Sequence, residues 1–239
     1  MKLDQKIFEH IPHLRDKIHE PEKSQFRNLD FEALDQYARE AGYPDNWRHK
    51  HADREDTRMQ SLEGRMNDDL WVFAYGSLMW DPAFYFDEVR VARSLEYQRS
   101  FCLRTEIGRG SPSHPGLMAA LDNGGKCEGL AFRIRAENVD QETEVIWKRE
   151  MISYGYVPMF LPLETEAGPV EALAFAIDHS SDRYERELDI DDAAKMIAVG
   201  TGLIGSNIAY LDSLADQLKL LGLSDDAFFK LHDLARTYL

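Results

Sequence analysis

The feature that most constrains the fold is a ten-residue stretch, Trp71-Val72-Phe73-Ala74-Tyr75-Gly76-Ser77-Leu78-Met79-Trp80. Its first four residues form a short apolar run, the pattern of a buried strand. The run breaks at Tyr75-Gly76-Ser77-Leu78. Glycine tolerates a sharp turn and a close backbone approach that other residues resist, and Ser77 adds a hydroxyl. Such a turn at a strand end can aim several backbone N–H groups one way, a concavity suited to a carboxylate or a developing oxyanion. A strand that stops at an ordinary turn satisfies the same ten residues.

Composition removes several classes of partner. A chain of 239 residues is one domain of ordinary size, or one domain with an appendage. Its 12 Phe, 10 Tyr and 4 Trp are enough to fill a core. The formal net charge of −15 argues against nucleic acid and anionic membrane, both of which demand a basic surface. No apolar run approaches the roughly 18 residues of a membrane span, and charges interrupt the first 17 residues too often for a signal peptide. Two cysteines, Cys102 and Cys127, cannot build a disulfide framework. A cytoplasmic protein with reduced thiols is expected. Neither cysteine has a nearby histidine to activate it as a nucleophile.

The chain reads in three parts. Residues 1–69 are polar and charged, a helical N-terminal extension. Ile7, Ile11 and Leu14 are spaced for one face of a short helix, and residues 30–40 give a second helical pattern closed by Gly42 and Pro44. Charge dominates residues 46–69. The histidines of this part (His10, His13, His19, His49 and His51) lack the spacing of a zinc site and read as exposed side chains. From residue 71 the segments turn short and β-prone: 71–75, 89–95, 98–105, 117–122, 127–135, 156–163 and 170–177. Asn123-Gly124-Gly125 reads as a hairpin turn joining two of them. One helix interrupts, from Asp140 to about Tyr154. After residue 182 three amphipathic helices follow, over 189–199, 206–221 and 224–238. The pattern predicts an α+β fold: a mostly antiparallel β-barrel over 70–180 with one inserted helix, then C-terminal helices over 183–239.

Gly200-Thr201-Gly202-Leu203-Ile204-Gly205 fits G-x-G-x-x-G, but it follows a helix and belongs to no βαβ unit. It reads as a flexible connection between two helices, with no nucleotide. The inserted helix carries Trp147-Lys148-Arg149-Glu150-Met151, followed by Tyr154-Gly155-Tyr156. Taken alone, Glu150 is one acid among 43. Its interest lies in the order of the segments around it.

That order resembles the ChaC-like γ-glutamylcyclotransferases, the enzymes that degrade glutathione. The family's strand followed by Tyr-Gly-Ser-Leu, then Trp and Pro, is matched by Tyr75-Gly76-Ser77-Leu78, Trp80 and Pro82. Its Arg-x-Phe strand is matched by Arg99-Ser100-Phe101, and its Arg-Gly-Thr-Pro…Pro-Gly loop by Arg109-Gly110-Ser111-Pro112-Ser113-His114-Pro115-Gly116. Gly125-Lys126-Cys127-Glu128-Gly129-Leu130-Ala131-Phe132 follows the family's Gly-x-Cys-x-Gly-x-Ala pattern. The family's catalytic glutamate lies in an Arg-Glu pair on a helix, which lands on Arg149-Glu150, and its late Gly-x-Asn-x-x-Tyr-Leu lies nearest Gly205-Ser206-Asn207-Ile208-Ala209-Tyr210-Leu211. The chain departs from the family at Leu117, where a basic residue is common, at Met151, where Lys is frequent, and in two extra residues, Ile152 and Ser153.

The resemblance implies an intramolecular reaction. The α-amine of a γ-glutamyl group attacks its own γ-carbonyl, closing 5-oxoproline and releasing cysteinylglycine when the substrate is glutathione. Holding the glutamyl chain in its cyclising shape is the first requirement, and a turn that grips its α-carboxylate does this. Glu150 is the implied proton shuttle. Tyr75, Gly76, Ser77, Leu78, Arg109, Gly110, Ser111 and Tyr210 are the implied substrate contacts. No cofactor or metal is called for. A second reading is an inactive relative that binds γ-glutamyl compounds or a protein. A third, a serine hydrolase built on Ser77, would have to recruit His114 or His179, and the chain has no G-x-S-x-G elbow.

Overall fold

A computed structural model describes residues 5–239; residues 1–4, the start of the expected extension, lie outside the described residues. All seven expected strands are present: β1 (Leu70–Ala74), β2 (Glu88–Ser94), β3 (Tyr97–Thr105), β4 (Gly116–Asn123), β5 (Cys127–Ile134), β6 (Tyr156–Thr165) and β7 (Val170–Ile177). Five of them close a barrel in the order β1-β5-β2-β6-β7, with β7 pairing back onto β1 in parallel. The other ring pairings are antiparallel. β4 joins β7 at Leu121 and Ala176 and carries β3 on its outer side. Val72, Phe73 and Ala74 of β1 are fully buried, so both faces of this strand are covered. That is why it reads as an unbroken apolar run instead of an alternation.

The hairpin expected at Asn123-Gly124-Gly125 is not one. β4 and β5 do not pair with each other. Instead β2 pairs with β5 from Glu88↔Arg133 to Ser94↔Cys127, and β3 pairs with β4 from Tyr97↔Asn123 to Thr105↔Gly116. The two ladders are one long antiparallel ribbon, bent where Gly124 and Gly125 take positive φ of 87° and 67°. A bend in a ribbon needs left-handed residues as a two-residue turn does, so the sequence signal is the same. The true hairpin loop is the stretch 106–115, which carries Arg109.

The inserted helix α3 (Val139–Glu150) is shorter than expected. It stops at Met151 because the chain must swing into β6 through Gly155, whose φ is 131°. A side chain on Gly155 would also stand 2.5 Å from Leu103. Glu150 is therefore the last residue of the helix. The three C-terminal helices α4 (Ile190–Val199), α5 (Asn207–Leu221) and α6 (Asp226–Arg236) are as expected, each with a polar side-chain cap at its start.

The extension departs from its sequence pattern in two places. Gln5–Phe8 and Pro12–Leu14 are separate 3₁₀ turns instead of one helix, because Pro12 has no N–H to continue one. The charged stretch after residue 46 contains a helix, α2 (His51–Ser61), that follows α1 (Phe31–Glu40). Its buried anchors are Arg54 and Arg58. Arg58 donates to the Asp140 carboxylate at 2.9 Å and to Thr143 Oγ1 at 2.8 Å, fastening α2 to α3. Phe8, Ile11, Leu14, Ile18 and Leu62 join the same buried cluster as the barrel interior.

Candidate active site

The backbone leaves β1 at Ala74 and makes a single 3₁₀ turn, Ser77–Met79. Met79 and Trp80 donate to the Gly76 and Ser77 carbonyls at 3.0 and 3.2 Å. The amides of Ser77 and Leu78, first in that turn, have no acceptor within it. Tyr75, Gly76, Ser77 and Leu78 all border a cavity of about 530 Å³. Glu150 borders the same cavity.

Arg149 ties the two together. Its Nε donates to Glu150 Oε1 at 3.1 Å and its Nη2 to Ser77 Oγ at 2.8 Å, while Nη1 donates to the Asp81 carbonyl. The guanidinium also lies 4.3 Å from the centre of the Phe26 ring. Only 15% of the Glu150 side chain is exposed. Burial raises its carboxyl above the ordinary glutamate value, and the charge and hydrogen bond of Arg149 counter this only in part. The C-terminal end of α3, where a negative charge is unfavourable, acts in the same direction as burial. A carboxylate whose value is raised in this way is chemically able to accept a proton and hand it on.

Three tyrosines stand around Glu150, Tyr75 and Tyr210 buried and Tyr156 half-buried. Tyr75 donates to the Phe175 carbonyl and Tyr156 to the Ala119 carbonyl at 2.7 Å. Both are held well above the ordinary tyrosine value by burial, with the charge of Tyr156 on Tyr75, of Tyr210 on Tyr156, and of Glu150 on both adding to it. Burial pushes Tyr210 up to about 12. All three remain neutral phenols at any working pH. Tyr156 carries no motif of its own, and only the aromatic-glycine step before it marks the place.

Arg109 reaches the cavity from the hairpin loop. Its Nη1 donates to the Ser206 carbonyl at 3.2 Å, and its buried Nε has no partner. No carboxylate among the described residues pairs with it. Arg183 also lines the cavity and donates only to oxygens of Arg104, Ser153 and Tyr154. Burial lowers the value of both arginines. Arg183 has no motif that would have marked it.

Two expected contacts are not in the cavity wall. Gly110 is buried beneath the loop, where a Cβ would stand 2.2 Å from the Thr105 carbonyl and 2.3 Å from the Gly116 amide. Ser111 sits on the outer part of the loop, its hydroxyl near Ser113. These residues shape the loop that delivers Arg109. The G-x-G-x-x-G segment has the same task. Thr201–Gly202 and Gly205–Ser206 form a two-residue hairpin, β8 and β9. Leu203 and Ile204 donate to the carbonyls of Ile107 and Gly108 at 2.9 and 3.0 Å. A Cβ on Gly202 would meet the Gly110, Ile107 and Gly108 carbonyls at 2.3 to 2.6 Å. The segment is a tight brace, where a flexible connection had been expected.

The serine-hydrolase reading finds no base. His114 is bonded to Ser113, His179 to Asp122, and neither borders the cavity.

The model of the ChaC-like protein family matches residues 70–238. The chain belongs to the ChaC-like family. Among its relatives, a glutathione-specific γ-glutamylcyclotransferase of Escherichia coli (strain K12) is 40% identical over 158 residues, 66% of this chain and 68% of that protein. One of Schizosaccharomyces pombe is 32% identical over 174 residues, covering 64% of this chain and 84% of that protein. The fold agrees with a crystal structure of a yeast γ-glutamyl cyclotransferase specific to glutathione, with a TM-score of 0.68 and 20% identity over 72% of this chain and 97% of that one. The family match begins at residue 70, so the described N-terminal segment lies outside it. No helix among the described residues is long and apolar enough to cross a membrane.

Proposed function

We propose that this chain is a γ-glutamylcyclotransferase that cleaves glutathione into 5-oxoproline and cysteinylglycine. The observation that carries this reading is the Arg149 link, which holds Glu150 and the Tyr75–Leu78 turn against one cavity. The turn amides and a cavity arginine receive the substrate's carboxylates. Glutathione has two, and the cavity has two arginines, Arg109 and Arg183, that form no ion pair with a carboxylate among the described residues. With the glutamyl head clamped, its α-amine lies against its own γ-carbonyl. A free α-amine has a value near 8 and is largely protonated at neutral pH. Glu150 takes that proton, the nitrogen attacks, and the amide C–N bond breaks as the proton passes to the departing cysteinylglycine nitrogen. The neutral tyrosines Tyr75, Tyr156 and Tyr210 wall the site and keep water from competing.

The direct test is incubation with glutathione. Stoichiometric 5-oxoproline and cysteinylglycine are expected. Binding of glutathione without either product would assign the chain to inactive, ligand-binding relatives. For Arg109→Met, a lost charge-assisted contact of about 1.5–3 kcal/mol should raise KM roughly 10- to 150-fold, with a smaller change in kcat. An unchanged KM would remove Arg109 from substrate binding. The buried, unpaired Cys102 and Cys127, their thiols pushed up to about 11 by burial, suit the reducing cytoplasm where glutathione is abundant.

A further inference from the structure

The cavity has a second wall that the family's shared residues do not supply. Phe26, Leu29, Leu34 and Trp47, all from the segment before residue 70, line it. None belongs to the buried core; each is half-buried and turns its apolar surface to the cavity. The segment that carries them is fixed to both rims. Tyr43 donates its hydroxyl to the Glu106 carbonyl at 2.8 Å, at the start of the hairpin loop. The His49 amide donates to the Ile152 carbonyl at 2.9 Å, just past α3, and its ring lies 4.0 Å from that of Tyr154. Arg27 makes a two-pronged pair with the buried Glu142 of α3 at 2.7 and 3.0 Å. Trp47 is itself held by Asp35 at 3.0 Å. The wall is a built one, preorganised before any ligand arrives.

The site therefore has two unlike surfaces. The turn, Glu150 and Arg149 form a polar one that fits a γ-glutamyl head. The segment before residue 70 adds four large apolar side chains, of which Phe26 lies against Arg149 itself. Glutathione offers that surface only a thiol and a glycine. We infer that residues 26–47 form a specificity wall, and that it adapts this enzyme to γ-glutamyl peptides bearing a bulky apolar group on the leaving side, such as glutathione thioethers. The inference rests on the cyclotransferase reading. The chemistry is unchanged: the α-amine nitrogen bonds to the γ-carbon, the γ-amide C–N bond breaks, and the amine proton moves to the leaving nitrogen. The thioether bond is not touched, and the products are 5-oxoproline and the S-substituted cysteinylglycine.

S-benzylglutathione is the probe, because it differs from glutathione by one benzyl group on sulfur. The measured quantity is the ratio of kcat/KM for S-benzylglutathione to that for glutathione, followed by 5-oxoproline release. A ratio of about 10 is expected in the unaltered full chain, the scale of one well-filled apolar subsite. In Leu29→Ala with Leu34→Ala the ratio should fall at least fivefold. A variant that merely folds less well lowers both rates together and leaves the ratio alone, and Trp47→Leu gives a second, independent reading. Turnover of glutathione with a ratio below 0.1, or a ratio that both wall variants leave unchanged, overturns the inference while the cyclotransferase reading stands. No 5-oxoproline from either substrate overturns both.

Discussion

Glu150→Gln is expected to lower kcat for 5-oxoproline release by about a thousandfold or more, within the range a positioned general acid–base supplies. Glutamine is nearly isosteric, and Arg149 keeps its bonds to the Ser77 hydroxyl and the Asp81 carbonyl. The turn should stay in place and KM should move little. Retained turnover would remove Glu150 from the proton path. The unaltered enzyme should lose kcat on the acid side as Glu150 becomes protonated. That loss should be centred above the ordinary glutamate value of 4.5, because burial raises the group.

The same shift sets the stability of the variant. With its folded-state value raised, Glu150 favours the fold when neutral. That contribution is complete at pH below the unfolded-state value and is lost as pH rises through the folded-state value. At pH 8 the unaltered protein carries the cost of a buried charge that glutamine does not. The variant should therefore melt at an equal or higher temperature at pH 8, with the difference narrowing toward pH 4. A lower Tm at pH 8 would mean that the Arg149 pairing outweighs burial.

The barrel was legible because its strands are short β-prone runs, most of them flanked by Gly, Pro or Asn, and all seven stand within a few residues of their expected places. The ordered motifs likewise brought Tyr75–Leu78, Arg109, Tyr210 and Glu150 to one cavity. What stayed hidden depends on long-range geometry. Gly124-Gly125 announces left-handed backbone, and only pairing partners reveal whether that backbone turns a hairpin or bends a ribbon. α2 is anchored by Arg54 and Arg58, whose burial makes sense only opposite Asp140 and Thr143 of α3. A charged helix with arginine anchors has no apolar stripe to reveal it. Phe26, Leu29, Leu34 and Trp47 are scattered singly through polar sequence, and the chain path alone gathers them. Gly110 and Ser111 share Arg109's motif, yet the loop turns them away from the cavity and Arg109 toward it.

Gly76→Val should raise KM for glutathione roughly 10- to 100-fold and lower Tm by about 3–10 °C, the scale of 1–3 kcal/mol of overpacking in a chain of this size. The cause differs from the one its sequence suggests. Gly76 has a φ of −131°, which other residues adopt, so its freedom at positive φ is not in use. What requires glycine is the Tyr210 hydroxyl, which would stand 3.0 Å from a Cβ at position 76, with the next atom, Ala119 Cβ, at 4.0 Å. Tyr210 cannot retreat: it is buried, with Trp80 and Phe101 rings at 5.9 and 6.1 Å. Any side chain on Gly76 therefore moves the turn instead, and the turn is the proposed seat of the substrate's carboxylate. The argument has a sharp consequence for the pair. Tyr210→Phe deletes the one atom in the way, so Gly76→Ala should cost far less in that background than alone, a favourable coupling readable from KM and Tm in a double-mutant cycle. Additive losses would mean that Tyr210 and the turn act separately, and that the turn's position is fixed from its other side, through the bonds Arg99 makes to the Tyr75 carbonyl at 2.7 Å and to Asp225.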